Sequence, residues 1–266
     1  MPIALGASIL LCSSLLFAQS PAQTMTRAEQ EHFLLTARIT NIRAGKGGIT
    51  GTRRATLVNG AITHDAHIQT IDESKVRFEG ANGTEMNFRD TYKFNIAAYR
   101  LDKLLDLQMI PPSVERNVEG MTGAVTWWVD DVLMEETQRA KKGIEPPDGD
   151  RWNNQMYIVR VFDQLIFNTD RNLGNLLITK DWKLWMIDHT RAFRTRTTLL
   201  APKNLTRCDR DLLAAMMRLN EKELHQELDP FLRRAEITAL LKRRDQIVAL
   251  FEKAPPAAIY SSQRRR

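Results

Sequence analysis

The sequence predicts an α+β protein of two lobes, strands gathered in the first half and helices in the second. Three observations carry this. Short β-compatible runs, punctuated by glycines and the pair Asn59-Gly60, occupy the chain before residue 90. Helical periodicity then takes over, first briefly and then through most of the C-terminal half. The composition also shifts after Trp127-Trp128-Val129. The expected division is a leader over 1–22, a strand-rich lobe over 23–130 and a helix-rich lobe over 131–266, with a cleft between the lobes.

The chain has 266 residues, enough for one large domain or two modest ones and for a real core. With 43% hydrophobic and 26% charged residues, disordered, collagen-like and repeat architectures are excluded. Two cysteines exclude a disulfide framework and a zinc ribbon. The balance of 38 basic to 32 acidic residues leaves +6, which favours anionic partners without singling out nucleic acid.

Ile3 to Ala18 carries no charge, and the small residues around Ser20-Pro21-Ala22 suit a processing site, so a signal peptide is expected. The run is shorter than a membrane span needs and lacks a basic flank before it. Leu11 before Cys12 argues against a lipid anchor. Export to the periplasm or exterior with no membrane anchor after processing is the expectation; a cytoplasmic protein with a buried N-terminal helix is the alternative.

Strands are expected over Leu34 to Ile42, Arg54 to Val58 and Ile62 to Ile71, with a hairpin at Asn59-Gly60. Asp90 is expected to cap a helix with Ala97, Leu101, Leu104 and Leu105 on one stripe, ending before Pro111-Pro112. Ser113 to Glu115 and Ala124 to Val129 read as strands around a turn over Asn117 to Gly123, and Trp127 and Trp128 fit a hinge strand. Pro146 to Gly149 is a loop, followed by a helix with Ile158, Val161, Phe162 and Leu165 at helical spacing. Beyond Arg194 everything reads as helical, with Asp209 capping one helix and Ile237 to Phe251 marking the last.

The chemistry concentrates in Asn168 to Phe193, NTDRNLGNLLITKDWKLWMIDHTRAF. Leu176 to Thr179 and Lys183 to Ile187 read as a hairpin around Lys180-Asp181-Trp182. A turn centred between residues 181 and 182 sets Asn175 opposite Asp188, about 5 Å apart by backbone. Asp170 lies in the loop feeding the first strand. Two carboxylates and an amide oxygen at one mouth are hard donors of the kind Mg²⁺ takes, with phosphates and water completing its shell. A carboxylate beside the metal, not ligating it, is where a base for a hydroxyl nucleophile would sit. Taken singly, each of the three reads as an ordinary turn or strand-end residue; the combination with matched register points to phosphoryl transfer.

Asp170-Arg171-Asn172-x-x-Asn175, then Asp188, resembles the catalytic and metal loops of the atypical kinases: phosphatidylinositol 3- and 4-kinases, HipA-type bacterial kinases and secretory-pathway Golgi kinases. Asn172 stands where the lipid kinases have His, and His189-Thr190 where they have Phe-Gly. Asn95 to Arg116 resembles the helix and strand of the same families' first lobe, so roughly residues 35 to 250 are covered. The resemblance also extends to a group of exported bacterial proteins of unknown function. It implies a two-lobed kinase-like fold whose first lobe covers a nucleotide, Asp170 as the catalytic residue, Asn175 and Asp188 as ligands of Mg²⁺ or Mn²⁺, and ATP as donor to a hydroxyl-bearing acceptor. Gln69, Asn95, Lys46, Gly47 and Trp128 would then meet the nucleotide.

The chain departs from that pattern at one pair. Gln69 stands at the lysine position of the third strand and Asn95 at the glutamate position of the following helix, so an ion pair is replaced by two neutral amides, which offer phosphate no charge. Lys46, Lys75 or Lys93 could supply a cation from elsewhere. The alternative function is therefore a pseudokinase, a nucleotide- or partner-binding module without turnover.

Other motifs fail on chemistry. Asn168, Asp170 and Asn172 mimic an EF-hand start, but Leu173 stands where Gly is needed and Thr179 where Glu belongs. His64 and His67 point to opposite faces of a strand. The glycines around Lys46 lack the ending of a P-loop, and neither G-x-S-x-G nor H-E-x-x-H occurs.

Overall fold

The computed structural model describes residues 21–44, 53–80 and 83–262. Residues 1–20 of the expected leader lie outside these, as do Lys46 and Gly47.

The described chain opens with helix α1 (Arg27–Thr36), started by a capping box in which Thr26 and Glu29 satisfy each other's backbone N–H. Strand β1 (Arg38–Ala44) follows. The expected strand over Leu34 to Ile42 is thus corrected: Leu34 is the buried face of a helix, whose start signal is Thr26-x-x-Glu29. β2 (Arg53–Asn59) and β3 (Ile62–Gln69) form the expected hairpin, in which Gly60 takes φ +58°.

A second hairpin, β4 (Asp72–Gly80) and β5 (Gly83–Thr91), was not predicted, because its charged residues alternate with few apolar ones. Helix α2 (Lys93–Leu104) therefore starts later than expected. Asp90 lies within β5, which Thr91 ends, and Tyr92 is the capping residue. The stripe through Ala97 and Leu101 is buried as its period requires.

β6 (Ser113–Val118) and β7 (Met121–Trp127) turn at Glu119-Gly120, both at positive φ. The first lobe's sheet is antiparallel in the order β1-β2-β3-β7-β6. One face packs α1 through Phe33 and Leu34 against Leu57, Ile68, Val125 and Trp127.

Past Trp127 come β8 (Val132–Glu135), the short helix α3 (Glu136–Lys142) and, after the Pro146-Pro147 loop, α4 (Gly149–Ile166), capped by Asp148. Ile158, Val161, Phe162 and Leu165 are all buried. β9 (Leu176–Thr179) and β10 (Leu184–Met186) join β8 in a three-stranded sheet.

Residues 195–207 correct the expectation of continuous helix beyond Arg194, since they hold only a short 3-10 turn at Pro202–Asn204. A parallel pair, β11 (Cys208–Asp209) and β12 (Ile259–Tyr260), brackets helices α5 (Arg210–Arg218), α6 (Glu221–Leu228) and α7 (Arg234–Glu252). Asp209 caps α5 as expected. α2 shares a continuous core with α4 and α7, so this helix of the strand-rich half is anchored on the helical half. Fully buried Arg243 on α7 donates to the carbonyls of Leu165 and Arg194 at 2.8 and 2.9 Å and to that of Arg196, fixing the segment that follows the β10 hairpin.

Candidate active site

Cleft-facing residues of β2, β3 and β7, the Trp128-Val129 crossing and the ends of the β9-β10 hairpin enclose a cavity of about 690 Å³. Asn95, Asn175, Asp188, His189 and Trp128 all line it. Asp170 lies beside this cavity, half exposed, on the loop that leads to Asn175.

The hairpin register differs by one residue from that expected. Met186 pairs with Leu176, and Ile187 rather than Asp188 stands opposite Asn175, donating its N–H to the Asn175 carbonyl at 3.1 Å. The reason is the turn, which Trp182 enters at φ +60° while its N–H bonds to Thr179. Asp188 leaves the strand in the left-handed region, φ +54°, costly for any residue but glycine and least so for Asp or Asn. Asp170, Asn175 and Asp188 nevertheless gather at the same end: the Asn175 amide donates to the Asp170 carbonyl at 3.4 Å, and the Asp188 carboxylate is influenced by that of Asp170.

The loop is held by buried ion pairing, not by loop sequence alone. Arg171 forks onto Asp163 of α4 at 3.0 and 3.1 Å and donates to the carbonyls of Asn175 and Ile187 at 3.1 and 2.9 Å. It also meets His189 Nε2 at 2.9 Å. Arginine can only donate, so that nitrogen accepts and the ring is neutral. Burial, and then the Arg171 charge, accordingly hold the His189 pKa well below its ordinary value. Asn168 links the same Asp163 to the Asp170 backbone N–H.

Burial raises the Asp188 pKa, and the nearby Asp170 and Asp90 carboxylates raise it further; hydrogen bonds from Thr190 oppose them. The Asn175 Oδ1 accepts no hydrogen bond among the described residues. A carboxylate whose pKa is raised, with two further carboxylates near it and an unused amide oxygen beside it, fits a hard divalent cation. No group of three or more His, Cys, Asp or Glu able to hold a metal occurs among the described residues, so such an ion would take much of its shell from phosphate and water.

The roof corrects two expectations. Gln69 is buried but is absent from the cavity lining; its Oε1 accepts from the N–H groups of Thr70 and Ile71, at 3.0 and 3.3 Å, where β3 ends and the chain turns. Gly123 packs so tightly there that a Cβ would lie 2.6 Å from the Gln69 carbonyl. Asn95 does reach the site, accepting from the His189 N–H at 2.7 Å, so it braces the residue after Asp188. Lys75 and Lys93 pair with Glu73 and Asp72, and neither lines the cavity.

Sequence reasoning missed His67, two residues before Gln69 on the same strand face, which lines the cavity with a pKa lowered by burial to about 4. Strand alternation from Gln69 was the available signal. It also missed Arg54, which stacks on Trp128 with 4.0 Å to the ring centroid and forks onto Asp65 at 2.6 and 2.5 Å. His64, as expected, faces away from His67, contacting Asp130 at 2.8 Å and stacking on Trp127.

No family model and no curated protein matches the sequence. Among solved structures, that of hydra Fam20 with sugar superimposes with a TM-score of 0.66 at 16% identity, over 92% of this chain and 94% of that one. The chain has the fold of the atypical kinases. The Golgi casein kinase with Mn/ADP bound follows at TM-score 0.60 and 14% identity, over 90% of this chain and 80% of that one. The Helicobacter pylori proinflammatory kinase CtkA gives 0.51 at 10% identity, over 84% of this chain and 99% of that one. The two-lobed kinase-like reading of the sequence stands. No helix among the described residues is long and apolar enough to cross a membrane.

Proposed function

We propose that the chain is a metal-dependent phosphotransferase of the atypical kinase type, moving the terminal phosphoryl group of ATP to a hydroxyl acceptor. The observation that carries this reading is Asp188: a carboxylate held at positive φ beside Asn175, its pKa raised by desolvation and by Asp170, at the floor of a cavity large enough for a nucleotide. Asp188 and Asn175 would hold Mg²⁺ or Mn²⁺, which supplies charge neutralisation for the phosphates. Asp170, half exposed and outside the cavity lining, would orient the acceptor hydroxyl and take its proton. Trp128 and His67 offer faces to a base in the roof, and neutral His67 would do so without adding charge.

A second reading, nucleotide binding without turnover, is favoured by Gln69 and Asn95. Both amides are engaged with backbone, and neither puts a cation on phosphate. The two readings separate on nucleotide consumption by purified protein with Mg²⁺ or Mn²⁺. Turnover lost in Asp170→Asn, with ATP binding retained, supports the enzyme; binding without consumption in the parent supports the second reading.

A further inference from the structure

Arg191 is placed as no other cation of the site is. Its Nε contacts Asp90 at 2.7 Å, while its Nη1 stands 3.9 Å from the Asp170 carboxylate, too far for a hydrogen bond. Its Nη2 has no partner among the described residues. The backbone around it is fixed: Thr169 donates to the Arg191 carbonyl through its hydroxyl at 2.9 Å, and Thr91 N–H to the Thr190 carbonyl at 3.0 Å. Asp90 is buried, at 2% exposure, whereas the Arg191 side chain is 36% exposed. An arginine anchored through Nε keeps its two terminal nitrogens for a second anion, and that fork matches phosphate.

Of the other candidate cations, Arg53 lines the roof, where its Nη1 pairs with Glu119 at 2.9 Å, and three more are committed elsewhere. Arg171 is spent on Asp163 and backbone carbonyls. Arg54 is spent on Asp65 and lies in the roof. Arg194 donates to the Arg89 carbonyl and pairs with Glu85 at 2.6 Å.

We propose that Arg191 is a catalytic residue that binds the transferring phosphoryl group from the Asp170 side, putting a cation on the terminal phosphate. This rests on the phosphotransferase reading above. In the step, the bond from the terminal phosphorus to the bridging oxygen of ATP breaks and ADP leaves. The acceptor oxygen bonds to phosphorus, and its proton passes to Asp170. Arg191 faces the negative charge spread over the group in flight, the role in which a positioned arginine contributes most to phosphoryl transfer. Because it does not line the cavity, it contacts only the terminal phosphate and leaves the inner two untouched.

Calorimetric titration with Mg·ATP and Mg·ADP tests this. Removing Arg191 alone would leave Asp90 buried and unpaired, so the comparison is Asp90→Asn against Asp90→Asn with Arg191→Met. The added Arg191→Met is expected to weaken ATP roughly tenfold or more, as loss of a charge-assisted bond does, and to leave ADP unchanged. A merely structural arginine would alter both nucleotides alike. Equal losses for ATP and ADP, or no loss for either, overturn the assignment. Arg191→Lys keeps a charge near Asp90 and needs no second substitution; it too is expected to weaken ATP and not ADP, and unchanged ATP affinity overturns the assignment. A parent protein that binds neither nucleotide overturns the phosphotransferase reading and Arg191 with it, whereas a parent that binds both and a variant with an unchanged ATP-to-ADP ratio overturns Arg191 alone.

Discussion

Arg171 and Asp163 form a fork of 3.0 and 3.1 Å that joins the candidate catalytic loop to helix α4. From that anchor the guanidinium reaches the carbonyls on both sides of the β9-β10 mouth, so one side chain sets where Asn175 and Asp188 leave their strands. Arg171→Ala is expected to cost about 3–5 kcal/mol in urea denaturation, because Asp163 keeps a largely buried charge without its partner. Lysine should recover little of it, lacking the planar fork. A loss below about 1 kcal/mol, the range of exposed pairs, would show that the loop is held by something else.

Asp188 makes the fold less stable where it is ionised. Its folded pKa is raised by burial and by Asp170 and Asp90, so the folded state holds that proton more tightly than the unfolded chain does. The cost is absent below the ordinary carboxylate value and grows as pH rises from there through the raised folded value. Asp188→Asn, which tolerates the left-handed backbone, should therefore raise the melting temperature at neutral pH without divalent metal. Adding Mg²⁺ or Mn²⁺ should stabilise the parent and not the variant. Thermal scans from pH 4 to 8 would read both, and a variant less stable than the parent throughout would contradict the burial argument.

His67 acts in the opposite sense. Its pKa falls to about 4 in the fold through burial, so the unfolded chain takes up the proton first as pH drops. Stability should fall between the ordinary histidine value near 6.5 and about 4, with buried His189 adding to the same slope. His67→Gln should flatten the dependence of the melting temperature on pH in that window in part. An unaltered slope would mean that His67 protonates freely, from an open cleft.

The parts of this architecture legible in sequence are those set by local rules. Asn59-Gly60 dictates a hairpin, Asp209 caps α5, and the stripe through Val161 and Leu165 must find a core. The grouping of Asp170, Asn175 and Asp188 at one end of a hairpin also follows from spacing, although the register was off by one because Trp182 at positive φ tightens the turn. What was not legible depends on distant partners. Arg89 meets Glu236, 147 residues away, through a buried contact of 2.6 Å, and Arg191 meets Asp90, 101 residues away. The β4-β5 hairpin that carries Arg89 and Asp90 has no clean apolar alternation, since its packing runs through charged side chains and through Phe88 against Phe78 and Arg194. Gln69 could be aligned to a lysine position from sequence, but only the end of β3 explains why its amide turns to its own backbone.

The most direct measurement is the calorimetric binding of ATP to the parent and to Asp188→Asn, with and without Mg²⁺ or Mn²⁺. The parent is expected to bind ATP only with the metal present, and Asp188→Asn to lose that metal dependence together with most of its affinity. Equal ATP binding by the two proteins, or binding indifferent to the metal, would contradict that expectation.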